Sequence, residues 1–226
     1  ILFTEVFGGI ATGVVGGGAA GNDAYVTFLV PAIVIQVALI AAATSGIGLV
    51  EDIENGMFEK TLVSPMNRVA VFLGKTLAEV ARIAVQILIV LGLGVFLGAE
   101  IVTGLAGAVG VVLVGIVFSV WFTAYSNVIA IRTGDSESTI ISANLLQFPL
   151  LFVSTAFLPR EALPGWIRVV ADLNPVTYGV EAARTIVTEG WVWEAILGPL
   201  QVLLLLDIAF AAVAVYTLAK ATSVRT

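Results

Sequence analysis

The sequence predicts an all-α membrane protein, a polytopic bundle of helices, and three observations support this prediction. Apolar residues make up 59% of the 226 residues and charged residues only 12%, whereas a soluble domain carries about 25% charged residues. The mean hydropathy is +1.09. Several stretches carry no charge over roughly 20 residues or more, the length that a helix needs to cross the hydrocarbon layer. We therefore expect a single transmembrane domain over residues 1–226.

Five stretches are predicted to be membrane-spanning helices. They cover residues 25–50, 70–98, 101–131, 138–158 and 193–219. The second stretch carries Lys75, Glu79 and Arg82 close to its start, so we expect that end in the interfacial layer. We expect residues 1–24 to hold the outer end of an earlier span and an external loop, which gives six spans in the full-length protein.

The orientation of the bundle is predicted from its basic residues. Of the ten Lys and Arg residues, seven fall in one set of alternate loops and three in the other. Short loops that are rich in Lys and Arg stay in the cytoplasm. We therefore expect residues 51–68 and the C-terminus to be cytoplasmic, and residues 159–191 to be external.

The residue types that usually carry chemistry are missing from the chain. It contains no Cys and no His, which excludes disulfides, thiolate or imidazole metal sites and Ser-His-Asp triads. We therefore expect no catalytic residue, no metal site and no enzyme activity in this chain. The net charge of −6 argues against a nucleic-acid partner.

Two glycine-containing stretches resemble nucleotide-binding motifs only superficially. Gly16, Gly18 and Gly21 have the dinucleotide-binding spacing, but no strand precedes them. Gly74-Lys75-Thr76 resembles the end of a phosphate-binding loop, yet Val69 stands where that loop needs its first glycine. The sequence therefore predicts no nucleotide site. Glycines also recur every four residues over 9–21, a spacing that suits either a close-packed helix seam or a flexible loop.

Residues 51–68, which we call the coupling segment, are predicted to contain a short amphipathic helix. Phe58 and Leu62 fall on one face of this helix and Pro65 ends it. Apolar side chains flanked by charges suit docking to a partner protein. The alternative is an ordinary interfacial loop.

Residues 159–191 are too charged to span a bilayer, and they are predicted to form two short helices that dip into the outer leaflet. Pro164 suits the first turn of a helix through Leu173. Asn174-Pro175 supplies an N-cap and a first-turn proline for a second helix that extends toward Thr188. Trp166, Trp191 and Trp193 are expected at the headgroup level, as membrane anchors rather than as substrate contacts.

The predicted spans contain few polar residues that could have a role in transport. Asp207 lies midway along the last span, where a carboxylate serves either as a proton relay or, as we favour, as a packed polar contact. Polar and aromatic residues of the inner spans are candidates for a translocation path, although such residues also simply pack helices together. These candidates are Trp121, Phe122, Tyr125, Asn127, Asn144 and Gln147.

Motifs in the coupling segment and in the external segment resemble one known family. They are Glu54-x-Gly56, Leu62-x-Ser64-Pro65-x-x-Arg68 and Gly74-Lys75, followed by Phe157-Leu158-Pro159, Leu163-Pro164-x-Trp166 and Leu173-Asn174-Pro175-x-Thr177-Tyr178. In this order and placement, they resemble the permease subunit of ABC type-2 transporters, the exporter group for drugs, polysaccharides and lipids. The resemblance covers nearly the whole chain.

The resemblance implies a six-span permease in the plasma membrane of a prokaryote, working as a homodimer or with a similar second permease. It implies outward export of an amphiphilic, lipid-like, drug or glycan substrate, driven by two copies of a separate ATPase that binds ATP and magnesium. The residues expected to contact the ATPase are Glu54, Gly56, Phe58, Glu59, Leu62, Pro65 and Arg68. The family's paired external helices correspond to a segment that holds Pro159, Pro164, Trp166, Asn174, Pro175 and Tyr178.

Two functions from other classes are left open by the residues. One is a proton-coupled secondary transporter that uses Asp207. The other is a membrane scaffold or sensor that keeps the fold but transports nothing.

Overall fold

The computed structural model of the chain describes residues 21–56 and 68–223. Within these two ranges every regular element is a helix, which confirms the all-α fold. The α-helices are α1 Gly21–Glu54, α2 Arg68–Phe96, α3 Gly104–Thr133, α4 Ser136–Phe152, α5 Gly165–Ala171, α6 Pro175–Thr188 and α7 Trp193–Ser223, with a 3-10 turn at Arg160–Ala162.

Four helices are long and apolar enough to cross a membrane, and they coincide with four of the predicted spans. These four are α1, α2, α3 and α7. The remaining predicted span, 138–158, is wrong at its end, because α4 stops at Phe152 after 17 residues. Such a helix is about 26 Å long, at the lower limit of what crosses a bilayer. The chain from 153 to 158, which we call the junction segment, is not helical.

The α3 helix is the centre of the bundle. It packs against α1, α2, α4, α6 and α7, and its buried aromatic residues Phe118, Trp121 and Phe122 belong to the main hydrophobic core. By contrast, α2 and α7 lie at the periphery with many apolar side chains exposed. Exposed apolar faces of this kind suit contact with lipid tails.

A two-residue connection turns the chain from α3 into α4. Gly134 has a φ of 62°, in the left-handed region that glycine enters without a steric penalty. Its N–H donates to Ala130 O at 2.9 Å. Asp135 then caps α4, because its carboxylate accepts a hydrogen bond from Ser138 N at 2.7 Å, and this bond lowers the pKa of Asp135. The two helices therefore run antiparallel.

The helices α1 and α3 approach closely near Gly46. Ser126 Oγ accepts from Gly46 N at 3.2 Å and donates to Ala43 O at 2.7 Å. A Cβ atom on Gly46 would lie 2.4 Å from Ser126 Oγ and 2.5 Å from Ser126 O. Because one of these atoms is backbone, a rotamer change cannot relieve the clash. Small residues permit this kind of close helix packing in membranes.

The two external helices exist as predicted, but α6 is not a surface helix. Asn174 caps α6 and Pro175 is its first residue, as the sequence indicates. However, α6 packs against α1, α3 and α7, and its apolar side is buried in the bundle. The buried residues are Val176, Thr177, Gly179, Val180, Ala182, Ala183, Ile186 and Val187. That these two helices dip into the outer leaflet stays a prediction, and α6 would do so while packed against the long helices.

Substituting Gly46→Ala should lower the free energy of unfolding by about 1–3 kcal/mol, because overpacking a tight contact has that cost. Gly48→Ala is the matched control: a Cβ there meets nothing within 4 Å, and alanine favours a helix interior by up to about 1 kcal/mol over glycine. The measurement is thermal or denaturant unfolding in detergent. Equal stabilities for the two variants would contradict the close approach.

Candidate functional site

The coupling segment begins as a continuation of the membrane helix. Residues 51–54 belong to α1, so Glu54 is its last residue, and Gly56 follows in a turn with a φ of 64°. Arg68 begins α2. Phe58, Glu59, Leu62 and Pro65 lie outside the described residues, so the amphipathic helix stays a prediction.

A polar contact joins the two helices that flank the coupling segment. On α2, Arg82 Nη2 donates to Ala41 O and to Thr44 Oγ1 of α1, each at 3.1 Å, and forms an ion pair with Glu79. Between α1 and α3, the side chains of Ser45 and Asn127 are 3.4 Å apart. These contacts join α1 to both α2 and α3.

Most of the predicted path residues pack helices together. Trp121 is buried, with ring centroids 5.1 Å from Phe122 and 5.6 Å from Phe210. Tyr125 donates its hydroxyl hydrogen to Ser142 O at 3.2 Å, and Asn127 contacts α1. Gln147 is buried in α4. These residues connect α3 with its neighbours.

Asn144 is the exception, because its side chain is exposed on the outer face of α4. Around it, the same helix exposes large apolar side chains, among them 75% of Leu145 and 67% of Phe152. An amide that faces hydrocarbon without a partner is costly. This face of α4 is therefore suited to meet another polar surface rather than lipid alone.

Asp207 faces protein, as expected from its place in the span. It is buried in α7 and interacts with the main chain of Trp121 on α3. Within the described part of the chain, neither its Oδ1 nor Trp121 Nε1 has a hydrogen-bond partner.

The middle of the junction segment, residues 154–156, is buried although it is not helical. Ser154, Thr155 and Ala156 are all buried, and Ser154 Oγ donates to Leu151 O at 2.7 Å and accepts from Ala156 N. Irregular backbone at membrane depth is tolerated only where protein satisfies its polar groups. The remaining partners of this segment come from α6.

The side chain of Asn174 caps two helices, the C-terminus of α4 and the N-terminus of α6. Its Oδ1 accepts from Val176 N at 2.9 Å, the ordinary N-cap bond. Its Nδ2 donates to Leu150 O at 2.6 Å and also to Val153 O, which are carbonyls that a helix C-terminus leaves free. This double role explains why α4 stops before the predicted residue 158.

Two further side chains of α6 hold the junction segment. Thr177 Oγ1 accepts from Thr155 N at 3.4 Å. Arg184 Nη2 donates to Thr155 O at 3.1 Å and to Ala156 O at 3.5 Å. The junction segment and α6 are therefore bound to each other as one unit.

Arg184 also reaches the outer end of α1. Its Nε donates to Phe28 O at 3.4 Å, and its guanidinium carbon lies 3.8 Å from the centroid of the Phe28 ring. Burial lowers the pKa of Arg184 to about 10, so the group is still a cation at neutral pH. From the sequence alone, Arg184 is one of the three basic residues in the loops that are predicted to be external. The sequence feature that could have indicated its burial is its position among the small apolar residues of α6.

The short helix α5 is held from one end and exposes its apolar face. Arg160 binds Asp172 through two hydrogen bonds, at 2.8 and 2.6 Å, which lowers the pKa of the Asp172 carboxyl. Tyr178 donates to Asp172 O at 2.6 Å.

The two prolines of this segment lie at the starts of its short helices. Pro159 precedes the 3-10 turn, and Pro164 is the N-cap of α5 rather than part of its first turn. Four large side chains, Trp166, Val169, Val170 and Leu173, are exposed.

The chain is similar to a known family over most of its length. The family model described as ABC-2 type transporter matches residues 1–188. That match takes in the coupling segment, α1 to α6 and the junction segment.

Relatives with printed names are also similar. The daunorubicin resistance ABC transporter permease protein DrrB1 of Streptomyces coeruleorubidus is 30% identical over 187 residues, which are 81% of this chain and 62% of that protein. The probable doxorubicin resistance ABC transporter permease protein DrrC of Mycobacterium tuberculosis is 27% identical over 187 residues, which are 80% of this chain and 67% of that protein. The inner membrane transport permease YhhJ of Escherichia coli is 23% identical over 194 residues, which are 84% of this chain and 51% of that protein. The matched region thus covers between 51% and 67% of the length of these three relatives.

Replacing Asn174 by Ala should lower the free energy of unfolding by on the order of 2–4 kcal/mol, because it removes an N-cap and leaves buried carbonyls unpaired. Asn174→Ser keeps the N-cap acceptor but does not reach both carbonyls, so it should lose less. Denaturant unfolding in detergent measures both variants. The double role is wrong if the Ala and Ser variants are equally stable.

Proposed function

Since the chain belongs to the ABC-2 type transporter family, we propose that it is the membrane permease of an exporter that is driven by a separate ATPase. The observation that carries this proposal is the family match over residues 1–188. The described bundle of apolar helices agrees with a multi-pass permease. The chain itself is not the catalytic subunit.

The ATPase acts on the coupling segment, 51–68. ATP and magnesium are bound by two copies of this partner, because the chain has no nucleotide-binding motif of its own. The contacts of Arg82 with α1, and of Ser126 with Gly46, make α1, α2 and α3 respond together at the cytoplasmic side. A push on the coupling segment then becomes a rigid displacement of helices.

The cargo is an amphiphilic molecule that moves outward from the cytoplasmic side of a prokaryotic plasma membrane. Two relatives are named for resistance to daunorubicin and doxorubicin, which favours drug-like amphiphiles over glycans. Residues 26–50, 83–96 and 104–131 of the first three long helices carry no charge, and this fits an apolar path better than an ion pathway. The C-terminus lies in the cytoplasm by the distribution of Lys and Arg.

The permease works as a pair, and the exposed face of α4 meets the second copy. This face places Asn144 among Leu145, Phe148 and Phe152, all of them exposed in the single chain. In a pair, the two Asn144 amides face each other or the cargo, which removes the cost of leaving them in hydrocarbon. The partner is a second copy or a similar permease.

Changing the coupling segment should uncouple ATP hydrolysis from transport. The double variant Phe58→Ala with Glu59→Lys should lower cargo-stimulated ATP hydrolysis at least tenfold in proteoliposomes, since a central interface contact is worth about 2 kcal/mol or more. Glu100→Lys is the control, because it reverses an exposed acidic residue outside the coupling segment.

Unchanged hydrolysis in the double variant would contradict the coupling role. Export that continues without ATP but collapses with the proton gradient would favour the transporter that uses Asp207. ATPase binding without any cargo movement would favour the scaffold.

The paired arrangement is tested by cross-linking in a chain that has no native cysteine. Asn144→Cys in native membranes should give a cross-linked dimer on oxidation or with a short thiol linker. Leu205→Cys is the control, because Leu205 is 67% exposed on α7, away from the α4 face. Equal cross-linking at both positions, or none at residue 144, would exclude this interface.

A further inference from the structure

We propose that Arg82 and Glu79 of α2 form a binding site for the headgroup of a zwitterionic aminophospholipid, with the lipid phosphate at Arg82 and the primary ammonium at Glu79. Phosphatidylethanolamine has this headgroup. The site lies on the outer surface of the bundle, and it depends neither on the ATPase partner nor on the cargo of the proposed function.

Arg82 lies where α2 leaves the hydrocarbon layer. It is the last charged residue before a run without charge over residues 83–99. Side chains of a helix lean toward its N-terminus, so the guanidinium leans away from this run and toward the nearer membrane surface, where long basic side chains place their charge. By the predicted orientation this is the cytoplasmic surface. The ion pair of Arg82 with Glu79 is therefore at the level of the lipid headgroups.

This ion pair is on the exposed side of α2. The side chain of Arg82 is 42% exposed and that of Glu79 is 25% exposed. Val85 and Ile89, three and seven residues further along the same side of the helix, are exposed as well. A lipid whose tails cover these apolar side chains brings its headgroup to Arg82.

Contacts with α1 hold the guanidinium in place and leave part of it unused. Its Nη2 donates to Ala41 O and to Thr44 Oγ1 of α1 and also to Glu79 Oε1. Among the described residues, no acceptor is bonded to Nε or Nη1 of Arg82, and no donor is bonded to Oε2 of Glu79. The pair thus presents N–H donors and a carboxylate acceptor side by side.

The ion pair selects among headgroups by net charge and by hydrogen-bond donors. An arginine binds a phosphate through charge-assisted hydrogen bonds. The Glu79 carboxylate accepts from a primary ammonium, but it repels the net negative charge of phosphatidylglycerol. The quaternary ammonium of phosphatidylcholine has no N–H to donate. Of these three lipids, phosphatidylethanolamine alone supplies both a phosphate acceptor and an ammonium donor.

The order of the two charges along α2 matches the order of the groups in this headgroup. Glu79 precedes Arg82 by three residues, which is about 4.5 Å along the helix axis, and it lies nearer the membrane surface. In the lipid, the phosphate is attached to the glycerol and the ammonium follows it, further from the tails. Arg82 therefore meets the phosphate and Glu79 the ammonium.

Native mass spectrometry of the chain in detergent measures which lipid is retained. Phosphatidylethanolamine, phosphatidylcholine and phosphatidylglycerol with identical acyl chains are added at equal concentrations. The unmodified protein should retain phosphatidylethanolamine at least about fivefold over the other two, because a hydrogen bond to a charged group contributes a factor of this size or more. The N,N-dimethyl derivative of phosphatidylethanolamine, which keeps a single N–H, should fall between it and phosphatidylcholine.

Two variants of the site separate its two charges. Glu79→Gln removes the carboxylate and keeps the contacts of Arg82 with α1, so the melting temperature should change little. It should lose the preference for phosphatidylethanolamine over phosphatidylcholine and retain phosphatidylglycerol most strongly. Arg82→Gln should lose all three lipids. Arg160→Gln is the control, because it breaks an exposed ion pair in the external segment, and it should keep the ranking of the unmodified protein.

Equal retention of the three lipids by the unmodified protein would overturn the proposal. A preference for phosphatidylethanolamine that survives in Glu79→Gln would do the same. Soluble glycerophosphoethanolamine tests whether the headgroup binds without its tails, and we expect no retention at the concentration used for the lipid. Retention equal to that of the lipid would assign the site to soluble phosphate compounds and exclude the lipid site.

Discussion

The structure depends on satisfying the main chain of a buried, non-helical segment at the end of α4. Without water in the hydrocarbon layer, each free carbonyl or amide there costs several kcal/mol. Side chains of α6 meet this requirement, since Asn174, Thr177 and Arg184 bond to the carbonyls and the amide of residues 150–156. The position of α6 in the bundle core, the early end of α4 and the burial of a cation all follow from this constraint.

A second set of contacts, further along α1, joins this helix to α2 and α3. Ser126 bonds to two main-chain groups of α1 next to Gly46, and Arg82 bonds to α1 from the opposite side. These contacts join α1 to both α2 and α3 in the interior of the helices. The bundle is thus joined to α1 by polar contacts at two places, from α2 and α3 near Ala41 and Gly46 and from α6 at Phe28.

The charged residues inside the bundle differ in how well they are compensated. Arg184 has several acceptors and an aromatic ring around it, whereas Asp207 has one oxygen without a partner among the described residues. The Asp207 carboxyl interacts with the main chain of Trp121, and its role as a packed polar contact stays a prediction.

The sequence by itself determined which stretches are long, charge-free helices, because crossing a bilayer depends on local length and hydropathy. It also determined the start of α6, since the Asn174-Pro175 cap acts within a few residues. The tertiary structure decided where α4 ends, that α6 is buried, that Tyr125 and Asn127 connect helices, and that Arg184 joins α1 to the junction segment. The physical reason is distance along the chain: Asn174 meets a partner 21 residues away and Arg184 one that is 156 residues away. No local pattern encodes such pairs, and only packing brings them together.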